Sequence, residues 1–283
     1  MEVWDCYDEK RKKLGKDILR DDQSFLEGEF HIVEEVWIIN SKGEILLTQR
    51  SKNKKEFPLK WECTAGSILK GENTLDGAIR EVYEEIGVEL DKKDLIYLEQ
   101  KIDRKHHAIV DKWIVRKDIL LSDLKFSDRE VQDAKFVSKE EFKAMMDRGD
   151  IRDTFEYIYD KYDRILKLKQ RDSYEFLGKE VEVTVDRKLG THHPKYNDMI
   201  YPINYGYIEG TISGDNEELD AYVIDENTPK DKVKGVCIGI LQRIDDMDDK
   251  LIILVNNNKK YDIDEINKII DFQEKYFSTL IIM

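Results

Sequence analysis

An acidic segment bounded by glycines constrains the fold of this chain more than any other part of the sequence. Residues 66–88 read GSILKGENTLDGAIREVYEEIGV, in which Gly66 is followed by Glu72 after five residues and by the pair Arg80 and Glu81 after seven more. At about 100° per residue, the apolar positions of this segment fall on one face of an α-helix. Those positions are Leu75, Ala78, Ile79, Val82 and Ile86. The pattern therefore predicts a loop that leads into an amphipathic helix.

Glu81, Glu84 and Glu85 fall together on the flank of that helix. Like charges at i, i+3 and i+4 destabilise an isolated helix by about a few tenths of a kcal/mol per pair, so we expect a cation to neutralise them. Magnesium fits this set because it prefers oxygen ligands and keeps bound waters, and manganese could take its place. The alternative is a surface helix whose glutamates are solvated.

Several residues near these glutamates suit the same site. Gly66 would let the backbone come close to a metal and a phosphate, and Gly87 suits a left-handed C-cap. Arg80 lies one turn before Glu84 and could also reach back to Glu72, which would tie the loop to the helix. These features predict a phosphate-binding metal site where the loop meets the helix.

The length and the charge of the chain restrict its organisation and its partners. With 283 residues, the chain exceeds the usual size of one domain, and we expect two domains, over residues 1–170 and 171–283. The net charge of −14 argues against a nucleic acid or an anionic membrane as the main partner, because both repel an acidic protein. A homo-oligomer is left open.

The cysteines and the hydropathy of the chain predict a soluble, cytoplasmic protein. Cys6, Cys63 and Cys237 are scattered and lack metal-ligand spacing, which is typical of reduced thiols. The first residues do not resemble a signal peptide, and no run approaches the roughly 20 apolar residues of a membrane span.

Hydrophobic patterns around the acidic segment predict alternating strands and helices. Residues 31–39 and 44–49 are typical of a hairpin, with a turn between them. Ser138 and Glu141 would form a capping box for a helix that ends near Met146. Further strands are predicted near residues 95–101, 108–115 and 134–137, and a last helix over residues 154–169.

Residues 66–88 satisfy every position of the Nudix box, and through this segment the chain resembles the Nudix hydrolases. The resemblance implies an α/β/α sandwich with a mixed sheet. It also implies a magnesium-dependent hydrolase that acts on a nucleoside diphosphate linked to another group. In that reading Gly66, Glu81, Glu84 and Glu85 hold the metal, and Arg80, Glu84 and Glu85 contribute to catalysis.

Three further segments are similar to the branch of Nudix proteins that includes isopentenyl diphosphate isomerase: WDCYDEKRKKLGK, GEFHIVEEVWIINSKGEILLTQRS and WECTAGS. Relative to that isomerase, the reactive cysteine is Ala65 here and a metal-binding histidine is Ser67. Protonation of an alkene needs an acid placed beside it, so the loss of both groups favours hydrolysis over isomerisation.

The same resemblance suggests three more positions. His31 aligns roughly with another isomerase ligand, and a structural histidine is the alternative. Asp128 and Glu130 lie where related proteins place acidic residues near the metal. Glu130 is therefore a candidate base or metal ligand, and a residue of a solvated loop is the alternative.

The second half of the chain contains the segments VTVDRKLGTHHP, YPINYGYIEGTISGDNEELDAYVID and GVCIGILQRIDDMDDKLIILV. They resemble the short bacterial forms of the family I inorganic pyrophosphatases. The resemblance implies a site for several magnesium ions, made from two acidic loops that contain Asp215, Glu217, Asp220, Asp245 and Asp248. Such ions bind pyrophosphate and lower the pKa of a bridging water, so that hydroxide attacks at neutral pH.

Polar residues beside these loops would complete the second site. Lys250, Arg187 and Tyr205 are expected to contact phosphate oxygens, and Asp220, Lys250 and Tyr205 to take part in catalysis. The sequence departs from the family where Glu217 replaces an aspartate and Glu218 a proline. The basic residues that longer members supply from an inserted strand and a C-terminal helix are not evident. A phosphate-binding or structural barrel without activity is the alternative.

Short strands in this half predict a small five-stranded β-barrel of the oligonucleotide-binding type, followed by a terminal helix. The strands are expected over residues 180–186, 221–224, 235–242 and 250–255, and the helix over residues 264–277.

Together these patterns predict a two-domain hydrolase for small-molecule phosphoanhydrides, whose second domain acts on inorganic pyrophosphate. One rival hypothesis is an isopentenyl diphosphate isomerase-like enzyme. The other is a nucleotide-sensing binding protein with an inactive second domain. No helix-turn-helix pattern or basic patch in the sequence favours a DNA-bound regulator.

Overall fold

The computed structural model describes residues 2–22, 24–126, 130–196, 198–213, 217–244, 248–256 and 258–283. The chain divides into two compact units, Met1–Gln170 and Arg171–Met283. Each unit is built around its own large sheet.

The first unit combines strands with three α-helices in its described residues. The strands are β1 (Val3–Tyr7), β2 (Lys13–Leu19), β3 (His31–Ile39), β4 (Ile45–Arg50), β5 (Trp61–Glu62), β6 (Thr64–Ser67), β7 (Leu95–Asp103), β8 (Ala108–Arg116) and β9 (Val131–Val137). The helices are α1 (Thr74–Ile86), α2 (Lys139–Asp147) and α3 (Tyr157–Ile165). The sequence patterns do not predict the hairpin of β1 and β2.

A mixed sheet forms the middle layer of this unit. Its main path runs β5-β4-β3-β8-β7, with β6 paired to β3 and β9 paired to β4. The predicted hairpin is present, but its two strands pair only at Ile39 and Ile45. Elsewhere β3 pairs with β6, and β4 pairs with β9. Since nearly all of β3 is buried, a two-stranded ribbon would leave its apolar surface exposed.

Helices cover both faces of this sheet. Successive residues of a strand point to opposite faces. Glu34 of β3 interacts electrostatically with Glu81 of α1, whereas the next residue, Glu35, accepts a hydrogen bond from Tyr157 Oη of α3. The core on the α3 side includes Trp37, Phe142, Phe155, Ile158 and Ile165. The predicted α/β/α sandwich is confirmed.

The helix ends follow the sequence with small differences. Gly87 follows α1 with φ +72°, the left-handed C-cap that was expected. Ser138 caps α2 by accepting a hydrogen bond from the Glu141 N–H at 3.3 Å, but the Glu141 carboxylate contacts Arg148 at 3.2 Å rather than closing the capping box. α3 is shorter than predicted, because a 3-10 turn precedes its first residue, Tyr157.

The second unit is a closed barrel. Its elements are β10 (Glu180–Arg187), β11 (Asn204–Ile208), β12 (Leu219–Ile224), β13 (Lys232–Arg243), β14 (Asp249–Leu254), α4 (Ile263–Glu274) and β15 (Thr279–Ile282). Because β10 pairs with both β11 and β13, five strands close in the order β10-β11-β12-β14-β13. The predicted five-stranded barrel with a terminal helix is confirmed. β15, which the sequence patterns do not predict, adds to β13.

The terminal helix packs on the barrel through its apolar face. Ile266 and Ile270 of α4 are fully buried in a core that also contains Tyr222, Leu241 and Ile252. In the part of the chain that the structure describes, no helix has the length and apolar character needed to cross a membrane.

Candidate active sites

A cluster of carboxylates lies beside α1 in the first unit. One carboxylate oxygen from each of Glu81, Glu85 and Glu130 lies within 4.8 Å of the others. Glu81 and Glu85 are one helical turn apart, and Glu130 directly precedes β9, which pairs with β4 in the sheet. The donors are all hard oxygen atoms at close range, which is the ligand set that magnesium and manganese accept.

Gly66 makes room for this cluster. A Cβ atom at this position would lie 2.0 Å from Glu81 Cδ, so no other residue fits without displacing that carboxylate. Gly66 also pairs with Glu34 across β6 and β3, and the fully buried Glu34 carboxylate interacts electrostatically with Glu81.

Arg80 joins the loop to the helix, as its position predicts. Its Nε donates to Glu72 Oε1 at 2.9 Å and its Nη2 donates to Glu72 Oε2 at 2.9 Å and to the Ser67 carbonyl oxygen at 3.1 Å. Its Nη1 donates to Glu81 at 2.7 Å and to Glu84 at 3.2 Å.

The three glutamates expected on one flank are thus divided. Glu84 pairs with Arg80, and its side chain is 56% exposed. Glu81 and Glu85 turn inwards to Glu130. Burial raises the pKa of Glu85 well above its usual value, and Glu62 and Glu81 raise it further. A divalent cation would offset this repulsion, so the residues fit the implied metal.

Basic side chains that the sequence reasoning missed surround these carboxylates. Lys54 Nζ lies 2.7 Å from Glu130 Oε1. Glu62, which adds to the negative field on Glu85, is paired with Arg50 at 2.5 Å and with Arg152 at 3.3 Å. The lysine-rich segment SKNKKEFPLK between β4 and β5 could have indicated basic side chains near the carboxylates.

The isomerase-like positions lie elsewhere or lack reactive groups. His31 stacks on Trp4 with ring centroids 4.2 Å apart, and burial lowers the pKa of His31 to about 4. It is not part of the carboxylate cluster found in the described residues. Cys63 is 1% exposed in the apolar core, with Ala65 packed against that core. Asp128 lies outside the described residues.

The second unit brings four predicted residues together at one end of the barrel. Lys250 Nζ donates to Asp220 Oδ2 at 2.6 Å, to Asp248 Oδ2 at 2.7 Å and to Tyr205 Oη at 2.9 Å. Tyr205 Oη in turn donates to Asp220. The parallel register of β12 and β14 sets Asp220 opposite Lys250, which explains how residues 30 positions apart come into contact.

The remaining predicted residues of this site are less closely joined. Glu217 is exposed and precedes β12. Arg187 ends β10 and pairs with Asp186 at 2.6 Å. Asp215 and Asp245 lie outside the described residues. Asp186 was not predicted from the sequence. Burial raises the pKa of Asp186, and the nearby charge of Asp220 raises it further.

An α/β/α sandwich whose glycine loop leads into a glutamate-rich helix defines a Nudix-type hydrolase unit. A family model described as NUDIX domain matches residues 31–157, and one described as Inorganic pyrophosphatase matches residues 164–281. The chain belongs to the Nudix hydrolase family, and the part of the chain after its Nudix domain matches the family model of inorganic pyrophosphatases.

Individual relatives match the two units separately. An uncharacterized Nudix hydrolase of Listeria monocytogenes is 39% identical over 156 residues, which cover 53% of this chain and 88% of the relative. An inorganic pyrophosphatase of Corynebacterium glutamicum is 33% identical over 106 residues, 36% of this chain and 63% of the relative. An isopentenyl-diphosphate Delta-isomerase of Shigella flexneri is 31% identical over 111 residues, 36% of this chain and 59% of the relative. The chain thus spans less than two thirds of these last two relatives.

Proposed function

We propose that the first unit hydrolyses the phosphoanhydride of a nucleoside diphosphate linked to another group, with magnesium held by Glu81, Glu85 and Glu130. The observation that carries this proposal is the convergence of the three carboxylates within 4.8 Å beside Gly66. A bound magnesium ion would supply Lewis-acid chemistry and lower the pKa of a water.

The residues around the cluster have separate tasks in this proposal. Arg80 holds the glycine loop against α1 through its pair of hydrogen bonds to Glu72. Glu130 is the most exposed of the three clustered carboxylates and would bind the metal once Lys54 releases it. Glu84 faces solvent. It would bind waters of the magnesium ion, or a magnesium ion that arrives with the substrate.

A substrate screen with matched variants tests the first activity. Purified chain is offered nucleotide sugars, dinucleoside polyphosphates, coenzyme A, NADH and nucleoside triphosphates, with and without magnesium. On the substrate found, we expect Glu84→Gln and Glu85→Gln each to lower turnover by about 10²-fold, the scale of a lost preorganised contact. Glu89→Gln, at an exposed position just after the helix, is the control. Unchanged turnover in Glu85→Gln would remove the metal assignment, and unchanged turnover in Glu84→Gln would remove the role of Glu84.

We propose further that the second unit hydrolyses inorganic pyrophosphate. The buried Lys250, joined to Asp220, Asp248 and Tyr205, supports this activity, because a lysine held among acidic groups can bind a phosphate oxygen. Asp220 and Asp248 would hold magnesium together with the predicted Asp215, Glu217 and Asp245. Release of orthophosphate from pyrophosphate by the full chain, lost in Asp220→Asn, is the test.

A further inference from the structure

The last residue of the terminal helix is a buried carboxylate in contact with a buried arginine. Glu274 is 5% exposed and accepts hydrogen bonds from Arg243 Nη2 at 2.8 Å and from Arg243 Nε at 3.0 Å. Tyr222 Oη also donates to Glu274 Oε1, at 2.5 Å. Phe277, just beyond α4, lies against the guanidinium, whose carbon is 3.6 Å from the ring centroid. Two parallel contacts and a ring face hold the plane of Arg243 in one orientation.

The third guanidinium nitrogen of Arg243 contacts the acidic site of the second unit. Its Nη1 donates to Asp248 Oδ2 at 3.0 Å, and the same oxygen accepts from Lys250 Nζ at 2.7 Å. Two cations on one oxygen fix the orientation of the Asp248 carboxylate. A continuous chain of contacts therefore runs from α4 through Arg243 to Asp248 and on to Lys250.

The buried ion pair of Arg243 and Glu274 is not expected to contribute much to the stability of the fold. The desolvation of an arginine and a glutamate commonly offsets their attraction, and apolar residues of similar volume serve a core as well or better. Glu274 reaches Arg243 because α4 docks on the barrel. The arrangement is better explained by what Arg243 does to Asp248.

We propose that Arg243 and Glu274 are positioning residues of the pyrophosphatase site. Glu274 fixes and neutralises Arg243, and Arg243 orients Asp248 for a metal ion without cancelling its charge. The proposal rests on the proposed pyrophosphatase function and names the terminal helix as part of that site. Longer family members are expected to bring basic groups from their C-terminal helix, whereas this helix brings an acid that holds an arginine of the barrel.

Metal affinity measured in the full chain tests this proposal. All variants are made in a Glu85→Gln background, which weakens the first site so that the second dominates the signal. Mn²⁺ binding is followed by titration calorimetry, and orthophosphate release from pyrophosphate is followed over a range of Mg²⁺ concentrations. Loss of a partner that orients a metal ligand typically weakens metal binding by about 10–100-fold.

We expect Glu274→Gln and Arg243→Lys to raise the Mn²⁺ dissociation constant and the activating Mg²⁺ concentration by about tenfold. Lysine keeps the positive charge but cannot contact Asp248 and Glu274 at the same time. The Arg243→Lys variant therefore tests whether orienting Asp248, and not the charge alone, matters for metal binding. Asp271→Asn, an exposed change on the same helix, should stay within about twofold of the parent. Circular dichroism checks the fold, and if Glu274→Gln does not fold, Arg243→Lys decides.

The outcomes distinguish the inference from the function on which it rests. Orthophosphate release with unchanged metal dependence in both variants would overturn the positioning role and leave the pyrophosphatase activity in place. Absence of release, together with Mn²⁺ binding that the variants weaken, would overturn the activity and support the positioning role. Absence of Mn²⁺ binding in the parent would overturn both.

Discussion

His31 is the residue whose titration should be visible in the stability of the first unit. Burial against Trp4 lowers the pKa of His31 from 6.5 to about 4. The unfolded chain therefore binds this proton at a higher pH than the folded chain, and stability falls as the pH is lowered from about 6.5 towards 4. At about 1.4 kcal/mol per pH unit, the loss amounts to at most about 3.5 kcal/mol.

The prediction is tested with one buried and one exposed histidine. His31→Phe keeps a ring beside Trp4 and should remove much of the pH dependence of the denaturant midpoint between pH 6.5 and 4.5. His106→Gln, at an exposed turn where the ring pairs with Asp103 at 2.8 Å, should change the pH dependence of the midpoint less than His31→Phe does. A His31→Phe midpoint that changes with pH as the wild type does would contradict this assignment.

Cys63 should have no part in the chemistry of the first unit. Burial raises the pKa of this thiol well above its usual value, and its side chain is packed in the core. We expect Cys63→Ala to leave hydrolysis essentially unchanged, and we expect no interconversion of isopentenyl and dimethylallyl diphosphate. Isomerisation that disappears in Cys63→Ala would instead favour the isomerase-like hypothesis.

At the scale of elements, the contact of β6 with α1 determines where Glu81 lies. Because a Cβ at Gly66 would overlap Glu81 Cδ, Gly66→Ala must move that carboxylate or separate strand from helix. We expect turnover on the first unit's substrate to fall by about 10²-fold, with a higher magnesium requirement. Ser67→Ala is the neighbouring control, since Arg80 contacts only the backbone oxygen there. Wild-type turnover in Gly66→Ala would show that Glu81 is dispensable.

At the scale of the whole molecule, the fusion predicts a coupled reaction. If the first unit cleaves a nucleoside triphosphate at the α-phosphorus, the product pyrophosphate becomes the substrate of the second unit, and its hydrolysis makes the first step effectively irreversible. We expect the full chain to release orthophosphate and Asp220→Asn to accumulate pyrophosphate from the same substrate. Equal pyrophosphate accumulation by both proteins would mean that the second unit is a binding or structural module.

Features that depend on local spacing could be predicted from the amino-acid sequence. α1, its left-handed cap at Gly87 and the contact of Arg80 with Glu72 all follow from residues within a few helical turns. Helical periodicity and caps act over short distances in the chain, so a single segment contains the information. Most of the longer strands were predictable for the same reason. The mostly exposed β2 was not, since it has no apolar alternation, and the short β11 and β15 have too few residues to show a pattern.

Which of these residues come into contact depends on the folding of each whole unit. The pairing of β9 with β4 brings Glu130 to Glu81 and Glu85, while Glu84 stays in solvent beside Arg80. In the same way, the register of β12 and β14 joins Asp220 to Lys250, and the docking of α4 joins Glu274 to Arg243. Strand pairing and helix docking connect residues far apart in the sequence, and they are set by the burial of apolar surface over a whole unit. No local pattern of charges carries that information, which is why the contacts of Lys54 with Glu130 and of Arg243 with Glu274 were not predicted.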